Sequence, residues 1–179
     1  MFARGISIWE IRAQVGGLHR LFLAANVYAV NRPSWSPDGK WIAFGISDDY
    51  GSIAVIPSRG GAPRYVTEST DPDPSDPGGS VDDSDPAWSP DGTLLAFTRV
   101  VWLCDVCDQD EIFTATADGS ESRWITTDTS YAVGRPSWSP NGDRLVAESS
   151  GEVQIFSLTG QPLRAIDPEG TEPAWQPLG

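Results

Sequence analysis

The segment between residues 71 and 85 concentrates groups that could do chemistry, with six aspartates and no basic residue. Carboxylates placed this close repel one another, and a bound cation or a basic partner would relieve the repulsion. Hard cations such as Ca²⁺ take carboxylate oxygens, although the spacing here does not match an EF-hand loop. The alternative is a solvated acidic loop without a ligand. The aspartates considered for binding a partner or Ca²⁺ are Asp71, Asp73, Asp76, Asp82 and Asp83.

The two cysteines, Cys104 and Cys107, lie together in one short segment. A structural zinc site needs four ligands, and neither a second cysteine pair nor the single histidine, His19, lies near them in sequence. A thiol pair with redox activity needs a helix N-terminus to lower the thiol pKa, and no helix is predicted here. We expect a local disulfide if the compartment is oxidising, and two reduced thiols otherwise.

The charge of the chain narrows the class of its partners. It carries 25 acidic and 12 basic residues, for a net charge of −13. Nucleic-acid binding depends on Lys and Arg neutralising phosphates, and the scattered basic residues here argue against it. The negative charge favours a basic or cationic protein partner. The alternative is that the acidic surface serves only to keep the protein soluble. The longest apolar stretch, residues 21–30, is too short to span a bilayer, and no targeting segment is visible.

One pentapeptide recurs along the chain and determines the elements that must carry these groups. Trp-Ser-Pro-Asp-Gly stands at Trp35–Gly39 and Trp88–Gly92, Trp-Ser-Pro-Asn-Gly at Trp138–Gly142, and a shorter copy at Trp175–Pro177. A period of about 40–50 residues indicates an array of one supersecondary unit. Proline presets φ, Asp or Asn tolerates the bend, and Gly takes positive φ, so each core predicts the turn of a β-hairpin. Apolar runs flank every complete copy.

A second hairpin follows each complete copy, as in Ile53–Ile56, then Gly60-Gly61, then Arg64–Thr67. Two hairpins per unit predict a four-stranded antiparallel blade. We expect one domain over 1–179, with three complete blades and a split or partial fourth. The result is either a small ring or part of a larger propeller. The repeat units are about 31–68, 85–127 and 134–167, with partial units at 6–23 and 172–179.

Pro-x-Trp-Ser-Pro-Asp-Gly-x-x-Ile-Ala-Phe, followed by Arg-x-Val-Thr, resembles the TolB-like, WD40-like β-propeller repeat, and the resemblance covers nearly the whole chain. It implies a propeller whose Pro-x-Trp strand is innermost, and a periplasmic or extracellular location. It also places the insertions 67–85 and 100–110 on one face, where repeat proteins commonly bind. The residues before the four repeated prolines alternate in sign, and we expect polar ligand contacts from Arg32, Asp85, Arg135 and Glu172.

The sequence predicts a binding module and no enzyme. Peptidase relatives of such propellers need a Gly-x-Ser-x-Gly elbow and a triad, and this chain has no such elbow and one histidine. We therefore expect no catalytic residues and no cofactor apart from the Ca²⁺ considered above. The expected function is protein–protein interaction, with a homo-oligomer or a longer chain as two ways to complete the array. The alternative is the gating or substrate-presenting part of a larger enzyme, such as a prolyl-oligopeptidase-like serine peptidase.

Overall fold

The computed structural model describes residues 1–5, 7–11, 18–23, 29–47, 51–67, 81–102, 108–126, 132–167 and 170–175. Strands and turns make up this part of the chain, which confirms the all-β prediction. Within the same ranges no helix is long and apolar enough to cross a bilayer. The N-terminal sheet contains β1 Phe2–Arg4, β2 Ser7–Ile11 and β3 Leu18–Leu23, in that order.

Three four-stranded antiparallel sheets follow, and we call them the first, second and third blades. Within each blade the strands lie in chain order, and the edge strands β4, β8 and β12 pack beside one another, so they are the innermost strands. The first blade contains β4 Ala29–Trp35, β5 Trp41–Ser47, β6 Gly51–Pro57 and β7 Arg64–Tyr65. The second contains β8 Val81–Trp88, β9 Leu94–Trp102, β10 Asp108–Thr116 and β11 Ser122–Trp124. The third contains β12 Val133–Trp138, β13 Arg144–Ser149, β14 Glu152–Ser157 and β15 Pro162–Asp167.

The hydrophobic core consists of layers between neighbouring sheets. Phe44 and Ile56 of the first blade pack with Ile8 of the N-terminal sheet. Because side chains alternate across a strand, the next residues of the same strands point to the other side and meet the second blade. Strands buried on both faces read as continuous apolar runs, as Ile53–Ile56 does. Each blade is therefore stabilised by its neighbours.

The repeated pentapeptide folds as a capped turn. Ser36 Oγ accepts a hydrogen bond from the Trp41 amide at 2.9 Å and donates to Asp38 Oδ1 at 2.7 Å. The Lys40 amide donates to the same carboxylate at 3.0 Å. These donors lower the pKa of Asp38 to about 2, with the Ser36 hydroxyl as the largest cause. In the third copy Asn replaces this Asp, and the Ser139 hydroxyl donates instead to Asp143 at 3.1 Å.

The tryptophans of the pentapeptide join consecutive blades. Trp88 and Trp138 are buried, and their indole N–H groups donate to Ser34 O at 3.2 Å and Ala87 O at 3.0 Å in the preceding innermost strand. Trp35 is 39% exposed, because the sheet before it places β1, rather than an innermost strand, next to β4. The pentapeptide tryptophan is therefore a core residue in the second and third blades, where an innermost strand precedes it, and is partly exposed in the first.

The turn glycine of each second hairpin touches the preceding sheet. Gly119 has φ of +79°, and a Cβ there would lie 2.7 Å from the carbonyl oxygen of Val66. A Cβ at Gly160 would overlap the carbonyl oxygen of Ile125. Both positions demand glycine for two reasons, positive φ and a backbone oxygen where a side chain would begin.

The boundaries of the two predicted insertions need correction. β8 begins at Val81, inside the first predicted insertion. β9 ends only at Trp102 and β10 begins at Asp108, so the hairpin β9–β10 is longer than the corresponding hairpins of the other blades. The longer β9 offers pairing partners to residues upstream of the repeat, and Asp82 pairs with Val100. Asp82 and Asp83 thus belong to the innermost strand of the second blade, rather than to a loop.

Candidate functional site: the axial cavity

The innermost strands bring four charged side chains to one place. Arg32, Asp85, Arg135 and Glu172 line a cavity of about 250 Å³, together with the prolines that follow each of them. We call it the axial cavity. The sequence predicted polar ligand contacts from these four residues, and the structure brings all four together.

These four residues share an unusual backbone conformation. Their φ angles are +45°, +55°, +55° and +53° in chain order. In β4, β8 and β12 the pairing register shifts at this point, which indicates a β-bulge. The left-handed conformation costs a residue with a side chain about 1–2 kcal/mol relative to glycine, which adopts it freely. All four positions before the repeated prolines carry a charged residue in spite of this cost.

The two arginines are held by close ion pairs. Arg32 Nε lies 3.0 Å from Asp85 Oδ1, which links the first and second blades. Arg135 Nη1 lies 2.8 Å from Glu148 Oε2 within the third blade. Glu172 completes the cavity more loosely, since its Oε1 lies 3.4 Å from Arg32 Nη1 and 4.0 Å from Arg135 Nη1. The charges therefore alternate around the cavity and largely compensate one another.

Asp85 is the carboxylate most affected by this environment. Burial raises its pKa above the usual value, while the charges of Arg32 and Arg135 act in the opposite direction. The pKa of Asp85 is higher in the folded chain than in the unfolded chain. Its ionisation therefore lowers the stability of the fold as the pH rises through these two pKa values. The arginines are thus needed to keep a charged Asp85 in place at neutral pH.

A second cavity of about 280 Å³ adjoins the first between the second and third blades. Asp85 and Arg135 line both cavities, and Asp110 and Glu148 add two carboxylates here. Glu148 was missed by sequence reasoning, because its counterparts in the aligned strand positions are Gly45 and Thr98. No repeated pattern marked it. Its contact with Arg135 depends on the third blade alone.

Asp83 corrects the predicted acidic surface. It is 1% exposed and forms a bidentate pair with Arg99, whose Nε and Nη2 lie 2.7 and 2.8 Å from its two oxygens. The guanidinium also lies over the rings of Phe97 and Phe113, at 5.5 and 4.7 Å. The residue at the equivalent position of the first blade is the apolar Val30, which pairs with Ile46. Asp83 is a buried group that holds the long strands of the second blade together, so it is not available to a surface ligand.

The remaining predicted residues are placed as follows. Asp82 is partly buried, and its carboxylate packs where a Cβ on Gly51 would lie. Among the residues that the structure describes, no group of three His, Cys, Asp or Glu side chains is arranged to hold a metal ion. The predicted disulfide and most of the predicted Ca²⁺ ligands lie outside the described residues: Cys104, Cys107, Asp71, Asp73 and Asp76.

Known proteins with the same architecture can now be compared. TolB from Acinetobacter baumannii aligns with 96% of the chain at 19% identity and a TM-score of 0.52, and the chain covers 52% of it. The chain has a TolB-like β-propeller fold. Dipeptidyl peptidase 4 from Porphyromonas gingivalis aligns with 86% of the chain at 14% identity and a TM-score of 0.53, with 29% of that protein covered. At these low sequence identities the similarity shows the fold alone, and it confirms the prediction of a propeller.

One curated relative is similar in sequence. The chain is 32% identical over 135 residues, or 70% of its length, to the uncharacterized peptidase YuxL of Bacillus subtilis. It spans 18% of that protein. No protein-family profile matches the sequence. The similarity therefore links the repeats to a propeller-sized part of a longer protein.

Proposed function

We propose that this chain is a non-catalytic β-propeller module that binds a protein partner at the axial cavity and the adjoining cavity. The observation that carries the proposal is the set of four charged residues at positive φ. Glycine would relieve about 1–2 kcal/mol of strain at each position, so the charged side chains have a use that offsets this cost. Part of that use is the ion pairing across blades, and part is a polar surface open to a ligand, since Glu172 and Arg32 remain exposed.

A basic or cationic partner segment fits the charge of this surface. Four carboxylates and two arginines line the two cavities together. The whole chain carries a net charge of −13, which adds a long-range attraction for a basic partner. The acidic segment 71–85 begins upstream of β8, and its aspartates before that strand, Asp71, Asp73 and Asp76, are candidates for binding the same partner. We also propose Ca²⁺ as a ligand of that segment, and the assay below is run with and without Ca²⁺ to test it.

The proposal is tested with an array of synthetic peptides of equal length that are basic, neutral or acidic. We expect retention of basic members, and a roughly fivefold loss of affinity in the double variant Asp110→Asn/Glu148→Gln. The exposed Glu121→Gln is the matched control and should bind like wild type. A second double variant, Asp71→Asn/Asp73→Asn, assayed with and without Ca²⁺, reports on the acidic segment. Equal binding of basic and acidic peptides would overturn the proposal.

A second candidate function has its own support. The relative YuxL is named a peptidase, and dipeptidyl peptidase 4 contains a propeller like this one. The chain would then be the propeller portion of a larger hydrolase and would gate or present its substrate. The coding sequence on either side of this segment distinguishes the two candidates. A hydrolase domain in the same reading frame, whose serine reacts with a fluorophosphonate probe, would favour the enzyme, and its absence would favour the free-standing module.

A further inference from the structure

The two arginines of the axial cavity approach one carboxylate oxygen. Arg32 Nη1 and Nη2 both lie 3.4 Å from Glu172 Oε1, and Arg135 Nη1 lies 4.0 Å from the same atom. They belong to the first and third blades, and they approach Glu172 from innermost strands on either side of β8. Arginine side chains are suited to carboxylate ligands because their planar guanidinium groups can donate two parallel hydrogen bonds, and here two of them face the same position.

The arginines are held in this position without Glu172. Arg32 is fixed by Asp85 at 3.0 Å, and Arg135 by Glu148 at 2.8 Å. Each guanidinium has five N–H donors, so these pairs leave further donors for a second carboxylate. The site is therefore formed by the blades, and Glu172 occupies it as a separate group.

Glu172 is a weak occupant. Its side chain is 61% exposed, and its two contacts are longer than those that anchor the arginines. It lies in the segment 170–175, where the Trp175 amide donates a long hydrogen bond of 3.4 Å to Ser137 Oγ of the third blade. Exposed pairs of this length contribute little, so a competing carboxylate can displace it at small cost.

We infer that the axial cavity is a carboxylate-binding site formed by Arg32 and Arg135, and that Glu172 is a built-in competitor for it. The cavity of about 250 Å³ accommodates a carboxylate with a few neighbouring atoms. This deepens the proposed function, because it assigns one group of the partner to one subsite. A basic segment that ends in a free carboxylate satisfies both the acidic surroundings and the arginine pair.

The test uses three labelled tetrapeptides that differ only in their carboxylate. One is acetyl-Ala-Lys-Ala-Ala with a free carboxyl end, and the second is the same peptide with an amidated end. The third, acetyl-Ala-Lys-Asp-Ala-amide, carries its carboxylate on a side chain. Binding is measured by fluorescence anisotropy at low salt. The first and third peptides distinguish a chain terminus from an acidic side chain, and the amidated peptide reports binding through the lysine alone.

We expect Glu172→Gln to tighten binding of the carboxylate peptides by roughly threefold to fivefold, because the competitor is removed. Arg32→Gln and Arg135→Gln should each weaken the same binding by about tenfold. Glu121→Gln is the control and should change nothing. Because Glu172→Gln could disturb the segment 170–175, Glu172→Asp is measured too, and its shorter side chain should also favour the peptide.

Two results would overturn the inference. One is that Glu172→Gln and Glu172→Asp leave carboxylate binding unchanged or weaker. The other is that the amidated peptide binds as well as the free one. Binding of the amidated peptide that is lost in Asp110→Asn/Glu148→Gln would still support the proposed function, so failure of the carboxylate subsite is distinguishable from failure of the binding module.

Discussion

The contact between Gly119 and Val66 allows the packing of one blade on the next to be measured with a single methyl group. In Gly119→Ala the new Cβ would lie 2.7 Å from a backbone oxygen of the first blade, so one of the two segments must move. Overpacking of this kind costs about 1–3 kcal/mol. The positive φ of +79° adds about 1–2 kcal/mol. We expect a total loss of about 2–5 kcal/mol in the free energy of unfolding.

The chain offers a matched control for the backbone term. Gly39 has a similar φ of +68°, and a Cβ there would meet nothing within 4 Å. Gly39→Ala should therefore lose only about 1–2 kcal/mol. Gly160→Ala should lose most, because its Cβ would overlap the carbonyl oxygen of Ile125. Urea unfolding followed by tryptophan fluorescence gives the three values. Equal losses at Gly39 and Gly119 would refute the blade contact and leave only backbone strain.

Three further predictions concern the turns, the tryptophans and the ends of the chain. Hydrogen bonds lower the pKa of Asp38 and of Asp118 to about 2. Their contribution to the free energy of unfolding is therefore complete above the unfolded-state pKa and is lost as the pH falls from about 4 to 2. Acid titration of Asp38→Asn should show a shallower loss of stability in that window than wild type. Trp138→Phe should cost about 1 kcal/mol more than Trp35→Phe in thermal unfolding, because only Trp138 is buried and bonded to the preceding blade. Deletion of 171–179 should lower the melting temperature or change the mass in light scattering, because it removes the half-buried Trp175, whose amide donates to Ser137 Oγ of the innermost strand β12. No change in either would show that this end of the chain does not stabilise the blades.

The blade could be predicted because its information is local. The hydroxyl of Ser36, the carboxylate of Asp38 and the positive φ of Gly39 act within five residues of one another. The phase of the buried Trp88 and Trp138 with the turn is also local, because it places them on one side of the innermost strand. What local chemistry does not contain is the identity of the neighbour. Trp35 and Trp88 begin the same pentapeptide. Only Trp88 follows a blade whose innermost strand offers a carbonyl oxygen, that of Ser34, to its indole N–H.

The candidate site divides in the same way. The alternating charges before the four prolines were visible in the sequence, and the structure showed that the four residues line one cavity. Glu148 and the buried pair of Asp83 with Arg99 were not predicted, because each occupies a position where the other blades carry different residues. An acidic run looks the same in sequence whether its members face water or a guanidinium. The pairing of β8 with an extended β9 decided that Asp83 is inside.

The sequence by itself determined the repeating unit, its two hairpins and the charged residue at each bulge, because turn chemistry and strand alternation act over a few residues. The tertiary structure decided which charges meet and which are buried, because those contacts join residues far apart in the chain. Arg32 and Glu172 are separated by 140 positions, and their side chains lie 3.4 Å apart. Only the arrangement of whole blades around one axis brings such residues together.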